Sequence, residues 1–343
     1  MMLKIDNNVL EYNKNYDMFC FQNCMYYILR ENNINNAEFY INKSMSLIVK
    51  SEAENIISSF DKNCYAVLPE YSRNIKKFIT ADDALNVFNR NLSDVLADKK
   101  IIVAVDSYYL HYLPFYKKSH GLHSLIFREY NEKTKRIKVI DNVKPWCFEG
   151  YIDVNEFLQA RDSSYTDKIG MFTNKPINNM WEEVLLEGWN GKLEDLVFRQ
   201  IELSLNQYYF PQDVDCSYEK GVNVFPFICD CIKNLQELSM EKQDIQLDGI
   251  HKALYKLNHR RRFWGDFLDK IPEEFQTVSL GEYIKKNHSL VKYSELILYK
   301  ILMLKAKRKA TLVDDICKRL NDLIDLEMDC GEGLREYIKE CKN

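Results

Sequence analysis

Glycine and proline are scarce, at 11 and 7 of 343 residues, together about 5% where average usage is roughly 12%. So few sharp turns favour helix and argue against an all-β sandwich. Long apolar runs are missing as well. No stretch approaches the roughly 18 apolar residues of a bilayer span, and the opening MMLKIDNNVLEYNKN has no apolar signal segment. The expectation is a cytoplasmic protein with no membrane partner. Charge of one sign is not in excess: 47 Lys and Arg against 51 Asp and Glu leave a net charge of -4, which gives no global attraction for nucleic acid. A glycine-rich phosphate loop is also absent, which disfavours nucleotide binding. The ten cysteines (Cys20, Cys24, Cys64, Cys147, Cys216, Cys229, Cys231, Cys317, Cys330 and Cys341) include no CxxC pair. They fit reduced structural thiols rather than a disulfide framework or a zinc site, with no metal and no bound cofactor expected. Cys229 and Cys231 stand too close for a zinc hairpin and read as helix packing residues.

What remains is a chain 46% hydrophobic and 13% aromatic, enough for two folded domains. The expected division is residues 1–165 and 180–343, joined by a polar segment at 162–179 that contains Pro176. The first part reads as α+β. FCFQNCMYYILR (Phe19 to Arg30) suits a helix, IIVAVD (Ile101 to Asp106) a strand, and HSLIFREY with RIKVID a hairpin across NEKTK. Asp153 followed by Glu156 resembles a capping box for VNEFLQARD. Beyond Met180 nearly every segment has helical spacing, so the second part is expected to be an all-α bundle, with Thr311 and Asp314 capping its last helix.

The run after Cys20 is apolar on most faces, which predicts a buried helix with this thiol at its N-terminus. There the macrodipole and the unpaired N–H groups favour a thiolate and can face an oxyanion. Cys24, one turn on, belongs to the helix body. A thiolate needs a base, and histidine is scarce. Of six in the chain, His111, His120 and His123 fall within Asp106 to Phe127. All three compete for the role. His123 begins a strand and Asp141 ends the next, so the hairpin can set the carboxylate beside the imidazole. Taken singly, Asp141 before Asn142 is ordinary turn chemistry. A helix-opening Cys, a strand-opening His about 100 residues later and a strand-ending Asp together form the layout of a papain-like site.

The strings FCFQNCMYYIL and DSYYLHYLPFYKKSHGLHSLIF, followed by VID, resemble the N-terminal domain of butirosin biosynthesis protein H, a group related to papain-like cysteine peptidases. The similarity runs from about Asp17 to Asn142 and rests on Cys20, Asp106, Tyr108, Tyr109, Leu113, Pro114, Tyr116, His120, His123 and Asp141. The chain departs from the group at Arg128 to Lys133, where relatives have a Gly-Tyr-Asp turn. It also lacks a Gln a few residues before the Cys, the group's oxyanion donor; Asn15 is the nearest substitute, with Gln22 behind it.

The resemblance implies a papain-like domain and an acyltransferase. Cys20, with His123 and Asp141, would take an acyl group from a carrier-protein thioester and pass it to an amine, forming an amide in natural-product biosynthesis. Tyr108, Tyr109, Tyr112, Tyr116 and His120 would line the substrate pocket, though aromatic packing beneath a loop explains the tyrosines equally well. The implied partner is an acyl or peptidyl carrier protein, usually acidic, with a phosphopantetheine arm; Lys117, Lys118, Arg260, Arg261 and Arg262 are candidate docking residues. Hydrolysis by the same triad, as a thioesterase or peptidase, and a non-catalytic carrier-binding scaffold stand as alternatives.

Overall fold

The computed structural model describes residues 19–52, 55–59, 66–80, 83–143, 145–164, 177–211 and 219–342. In chain order the helices are α1 (Cys20–Glu31), α2 (Ala37–Tyr40), α3 (Ala84–Leu96), α4 (Val154–Arg161), α5 (Leu193–Ser204), α6 (Val224–Lys233), α7 (Met240–Leu268), α8 (Val278–Lys307) and α9 (Ala310–Lys342). The strands are β1 (Ile48–Glu52), β2 (Asn55–Ser59), β3 (Ile75–Phe78), β4 (Lys100–Asp106), β5 (Leu122–Asn131), β6 (Arg136–Asp141), β7 (Phe148–Asp153), β8 (Trp181–Val184) and β9 (Glu219–Lys220). The fold is mixed α+β, an antiparallel sheet region and a helical C-terminal part, and it divides into two compact units: Met1–Ile41 with Tyr65–Gly191, and Asn42–Cys64 with Lys192–Asn343.

The first unit is built on a six-stranded antiparallel sheet in the order β3-β8-β4-β5-β6-β7. Strand alternation sends Ile101, Val103 and Val105 of β4, with Leu125 and Phe127 of β5, into one apolar cluster. They pack there against Val87 and Phe88 of α3 and Phe157 of α4. Helix α4 opens on Asp153, whose Oδ1 caps the helix by accepting the Asn155 N–H at 2.8 Å, one residue short of the Glu156 N–H that the expected capping box uses. The Glu156 side chain faces Tyr116 and His111. With so little glycine, other residues take the left-handed backbone: among the described residues Asn33, Asn36, Asn178 and Asn179 do so at φ near +50 to +58°, as do Asp98, Lys117, Lys135 and Arg308. Asparagine tolerates that conformation better than other residues with a Cβ.

The boundary expectation is corrected in two places. The first unit extends to Gly191 rather than ending at residue 165, because Trp181–Val184 is a strand inserted between β3 and β4. The sequence WEEV hides it: Glu182 and Glu183 are buried, so the strand has no polar face to give an alternating pattern. The second unit is not all-α, since β1 and β2 belong to it and form a three-stranded sheet with β9, in the order β2-β1-β9. These strands are two to five residues long, too short for periodicity to register. Most of the polar segment at 162–179, including Pro176, lies outside the described residues.

Helices α7, α8 and α9 form the body of the second unit, around a buried polar cluster. Arg261 pairs with Glu327, Tyr208 donates to Glu327 at 2.8 Å, and Trp264 Nε1–H donates to the Tyr283 hydroxyl at 2.6 Å. Gly221 is required where it stands: its φ is +55°, and a Cβ there would lie 2.0 Å from the Tyr208 carbonyl oxygen. Thr311 is not a cap, because α9 already begins at Ala310. Among the described residues no helix is long and apolar enough to cross a membrane.

Candidate active site

Cys20 is the first residue of α1. Asn23 N–H makes the helix's first backbone bond, to the Phe19 carbonyl at 2.9 Å. The N–H groups of Cys20 and Phe21 precede it and carry the positive end of the helix dipole. Phe19 at the N-cap offers no side-chain cap. The helix is anchored by Met25, Ile28 and Leu29, all buried. Cys24 is also buried and donates its thiol to the Ser124 carbonyl at 3.6 Å. Burial, and then the charge of Asp141, push the Cys24 thiol well above its ordinary value, so it stays inert.

Antiparallel pairing brings the base to the sulfur. Ile126 pairs with Ile140 on β6, and continuing that register puts Asp141 opposite Leu125, diagonal to His123 on the same face. His123 Nε2–H donates to Asp141 Oδ2 at 2.6 Å, which leaves Nδ1 as the nitrogen available to the thiol. The Cys20 thiol is hydrogen-bonded to His123 and to the Ser124 side chain. Burial alone would raise the thiol; these bonds and the imidazolium charge outweigh it and set Cys20 below its ordinary value. For His123, burial opposes the charged form, but Asp141 and Cys20 prevail and hold it well above the usual imidazole range. The two shifts have the signs of a thiolate–imidazolium pair.

Asp141 has no exposed surface and His123 is 9% exposed. Tyr112 seals the carboxylate, donating its hydroxyl to Asp141 Oδ2 at 2.9 Å, with its ring stacked on Phe148 at 4.0 Å. Burial and the Asp141 charge push the Tyr112 phenol well above its ordinary range, so it remains a donor. Val143 N–H reaches the other oxygen at 3.3 Å. Tyr112, expected as a pocket wall, thus holds the carboxylate. Its position within the aromatic string gave no sign of this partner, which is 29 residues away in sequence.

The loop from Ser107 to Gly121 carries the other expected pocket residues. Successive turns tie it down, with Leu110 and Leu113 buried as anchors. Tyr108 stacks on His120 at 4.2 Å and meets Tyr109 edge-on at 5.1 Å. Tyr116 donates to Glu156 at 3.4 Å. His111 lies 3.3 Å from Glu156 and is exposed. His120 Nδ1 faces Asp106 Oδ2 at 2.6 Å.

Asn15 lies outside the described residues. Gln22 is buried in the first turn of α1, and residues two apart on a helix do not share a face, so its side chain diverges from that of Cys20. Lys117 and Lys118 are exposed. The arginine cluster needs correction. Arg260 is 2% exposed and donates to the Ser44 carbonyl at 2.7 Å, and Arg261 is 0% exposed and pairs with Glu327. Neither can meet a docking partner, since α7 turns that face inward. Arg262 points outward and pairs with Glu295. Among the described residues the cysteines are free thiols, and no three His, Cys, Asp or Glu side chains are grouped to hold a metal ion. Cys229 and Cys317 pack together, with the Cys317 thiol on the Cys229 carbonyl at 3.6 Å. Compared with known proteins, the chain matches no family model and no curated protein.

Proposed function

We propose that the protein is a cysteine-dependent acyltransferase with a papain-like catalytic unit, which accepts an acyl group from a carrier-protein thioester and transfers it to an amine. The observation that carries this reading is the Cys20–His123–Asp141 chain of hydrogen bonds, with a lowered thiol and a raised imidazole. A helix-opening thiol beside an antiparallel sheet that supplies the base and its orienting carboxylate is the papain-like arrangement.

In the first half-reaction the Cys20 thiolate attacks the thioester carbonyl. The helix-opening N–H groups face the developing oxyanion. Collapse breaks the donor C–S bond, and the His123 imidazolium gives its proton to the departing pantetheine thiolate. Donor and product are both thioesters, so this step is nearly balanced in energy. In the second half-reaction a neutral amine attacks the acyl-Cys20 carbon, its proton passes to His123, and the Cys20 thiolate leaves. Amide formation is downhill provided the amine outcompetes water. The burial of His123 and Asp141 and the aromatic loop at 107–121 support a site that excludes solvent.

Intact-mass analysis after mixing the full chain with an acylated carrier protein tests the proposal. The expected result is an acyl adduct on the wild type and none on Cys20→Ala. Added amine should discharge the adduct as amide. Discharge only as free acid, at a rate that amines do not change, would replace transfer by hydrolysis. No adduct on either protein would end the reading.

A further inference from the structure

Two loops meet at Asp141, and each carries a proline followed by a large aromatic residue: Pro114 with Phe115, and Pro145 with Trp146. The loops touch twice. On the inside the Tyr112 ring stacks on Phe148 at 4.0 Å while its hydroxyl reaches Asp141. On the outside Phe115 meets Trp146 edge-on at 5.3 Å. The inner contact holds the orienting carboxylate. The outer one has no such task, and it leaves Phe115 40% and Trp146 37% exposed.

Apolar side chains exposed singly need no explanation. These two are paired, come from separate loops and are held from beneath. Leu113 is buried just ahead of Pro114. The Lys118 N–H donates to the Phe115 carbonyl at 2.9 Å, and the Trp146 N–H donates to the Val143 carbonyl at 2.8 Å. Each proline fixes its own φ immediately before the ring. An aromatic surface ordered in advance loses little entropy when a partner covers it, and Trp is among the residue types that dominate binding energy at interfaces.

Charge says what kind of partner fits. Lys117 and Lys118 stand within three residues of Phe115 and are exposed. The Lys117 ammonium lies over the Tyr116 ring at 5.2 Å, and among the described residues neither lysine has a carboxylate partner. Nearby acids are engaged elsewhere, Glu156 with His111 and Tyr116 and Glu149 with Lys138. The result is an aromatic pair edged by two unneutralised cations, on a chain whose net charge is -4. Its complement is an acidic protein surface with an apolar residue among its carboxylates. A second copy of this chain fits poorly, since two-fold pairing would set lysines against lysines. Size agrees: at these exposures each ring offers no more than about 100 Å², far below the roughly 800 Å² per partner of a stable complex. So small a contact suits a partner that leaves after each turnover.

We propose that Phe115, Trp146, Lys117 and Lys118 form the docking surface for the acyl-carrying protein, which seats an apolar residue on the two rings and its carboxylates on the two lysines. This rests on the acyl-transfer reading. Both loops are tied to Asp141, one through Tyr112 and the other through the Val143 N–H, so the surface borders the catalytic pair. The lysines speed the encounter and the rings slow departure.

The test times acylation of Cys20 in the full chain by two butyryl donors: the thioester on an acyl carrier protein, and the N-acetylcysteamine thioester, which brings no protein to dock. Replacing Phe115 and Trp146 together by Ser should lower the second-order rate constant for the carrier donor about thirtyfold, the scale of two interface anchors, and leave the small donor within about threefold of wild type. Lys117→Gln with Lys118→Gln should flatten the fall in the carrier rate constant as salt rises from about 50 to about 500 mM. Equal slowing with both donors would mean that the rings only support Tyr112, and no slowing with either would mean that the surface is idle. A carrier donor no faster on the wild type than the small thioester would mean that nothing docks. A wild-type dimer that the double Ser variant dissociates would assign the surface to a second copy. Each of these overturns the proposal. Failure of both donors to acylate the wild type would instead overturn the acyl-transfer reading.

Discussion

Replacing Asp141 by Asn changes one buried charge and almost no volume. The carboxylate stands 2.6 Å from His123 Nε2; with the two delocalised charges centred about 4 Å apart, they interact by about 4 kcal/mol at an effective dielectric of about 20. At about 1.4 kcal/mol per pKa unit, losing that attraction lowers the population of the imidazolium–thiolate pair by about three decades. Geometry adds to the loss. If the Asn amide nitrogen takes the Oδ2 position, His123 must accept at Nε2 and turn Nδ1–H toward Cys20, where it can no longer receive the thiol's proton. If the oxygen takes it, the Val143 N–H faces a second donor. Rapid-quench measurement of Cys20 acylation by a small thioester at pH 7 should therefore give a rate constant about 10³-fold below wild type. Thermal unfolding run alongside separates this from misfolding. A folded Asp141→Asn protein that acylates within about tenfold of wild type would refute the assignment of Asp141 as the orienting anion.

Glu182 sits in β8 with its carboxyl pushed up to about 7, chiefly by burial. Since the unfolded side chain ionises near 4.3, the folded state loses stability as pH rises from about 4 to 7. Glu182→Gln should add up to about 3 kcal/mol at pH 8 and nothing at pH 4, read by urea unfolding at both pH values; a pH-independent difference would contradict this. Glu327→Ala leaves the Arg261 guanidinium buried and unpaired and should cost about 3–5 kcal/mol. In the same assay a loss under about 1 kcal/mol would show the pair is not insulated from water. Lys117 and Lys118 are exposed beside the aromatic loop. Reversing both to Glu should slow transfer from a carrier-bound donor about tenfold at low salt relative to a small thioester, and equal effects on both donors would remove the docking role.

The elements that position Cys20, His123 and Asp141 were legible because each carries a strong local pattern. The helix from Cys20 to Glu31 has an unbroken apolar stretch, Cys24 to Leu29, and β4, β5 and β6 are rich in Val, Ile and Leu. The hairpin then follows from the polar turn between β5 and β6. What the sequence concealed depends on distant partners. Tyr112 is bound to Asp141, Asp106 to His120 and Ser163, and Arg161 to the carbonyls of Ala104, Asn179 and Met180. None of these pairings leaves a periodic trace. The basic run at Arg260 to Arg262 misled for a related reason. Successive helical residues point 100° apart, and only one of the three meets solvent while the others enter the core.

The claim beneath all of this is that His123 holds Cys20 as a thiolate near neutral pH. The rate of Cys20 alkylation by iodoacetamide from pH 4 to 10, followed by intact mass, tests it most directly. Wild type should react with a rise below the ordinary thiol value of about 8.5, because the charged pair persists between the lowered thiol and the raised imidazole. His123→Gln should move the rise to about 8.5 or above, since burial then acts on the thiol unopposed. A wild-type profile that rises only near 8.5 and does not move in His123→Gln would contradict the account.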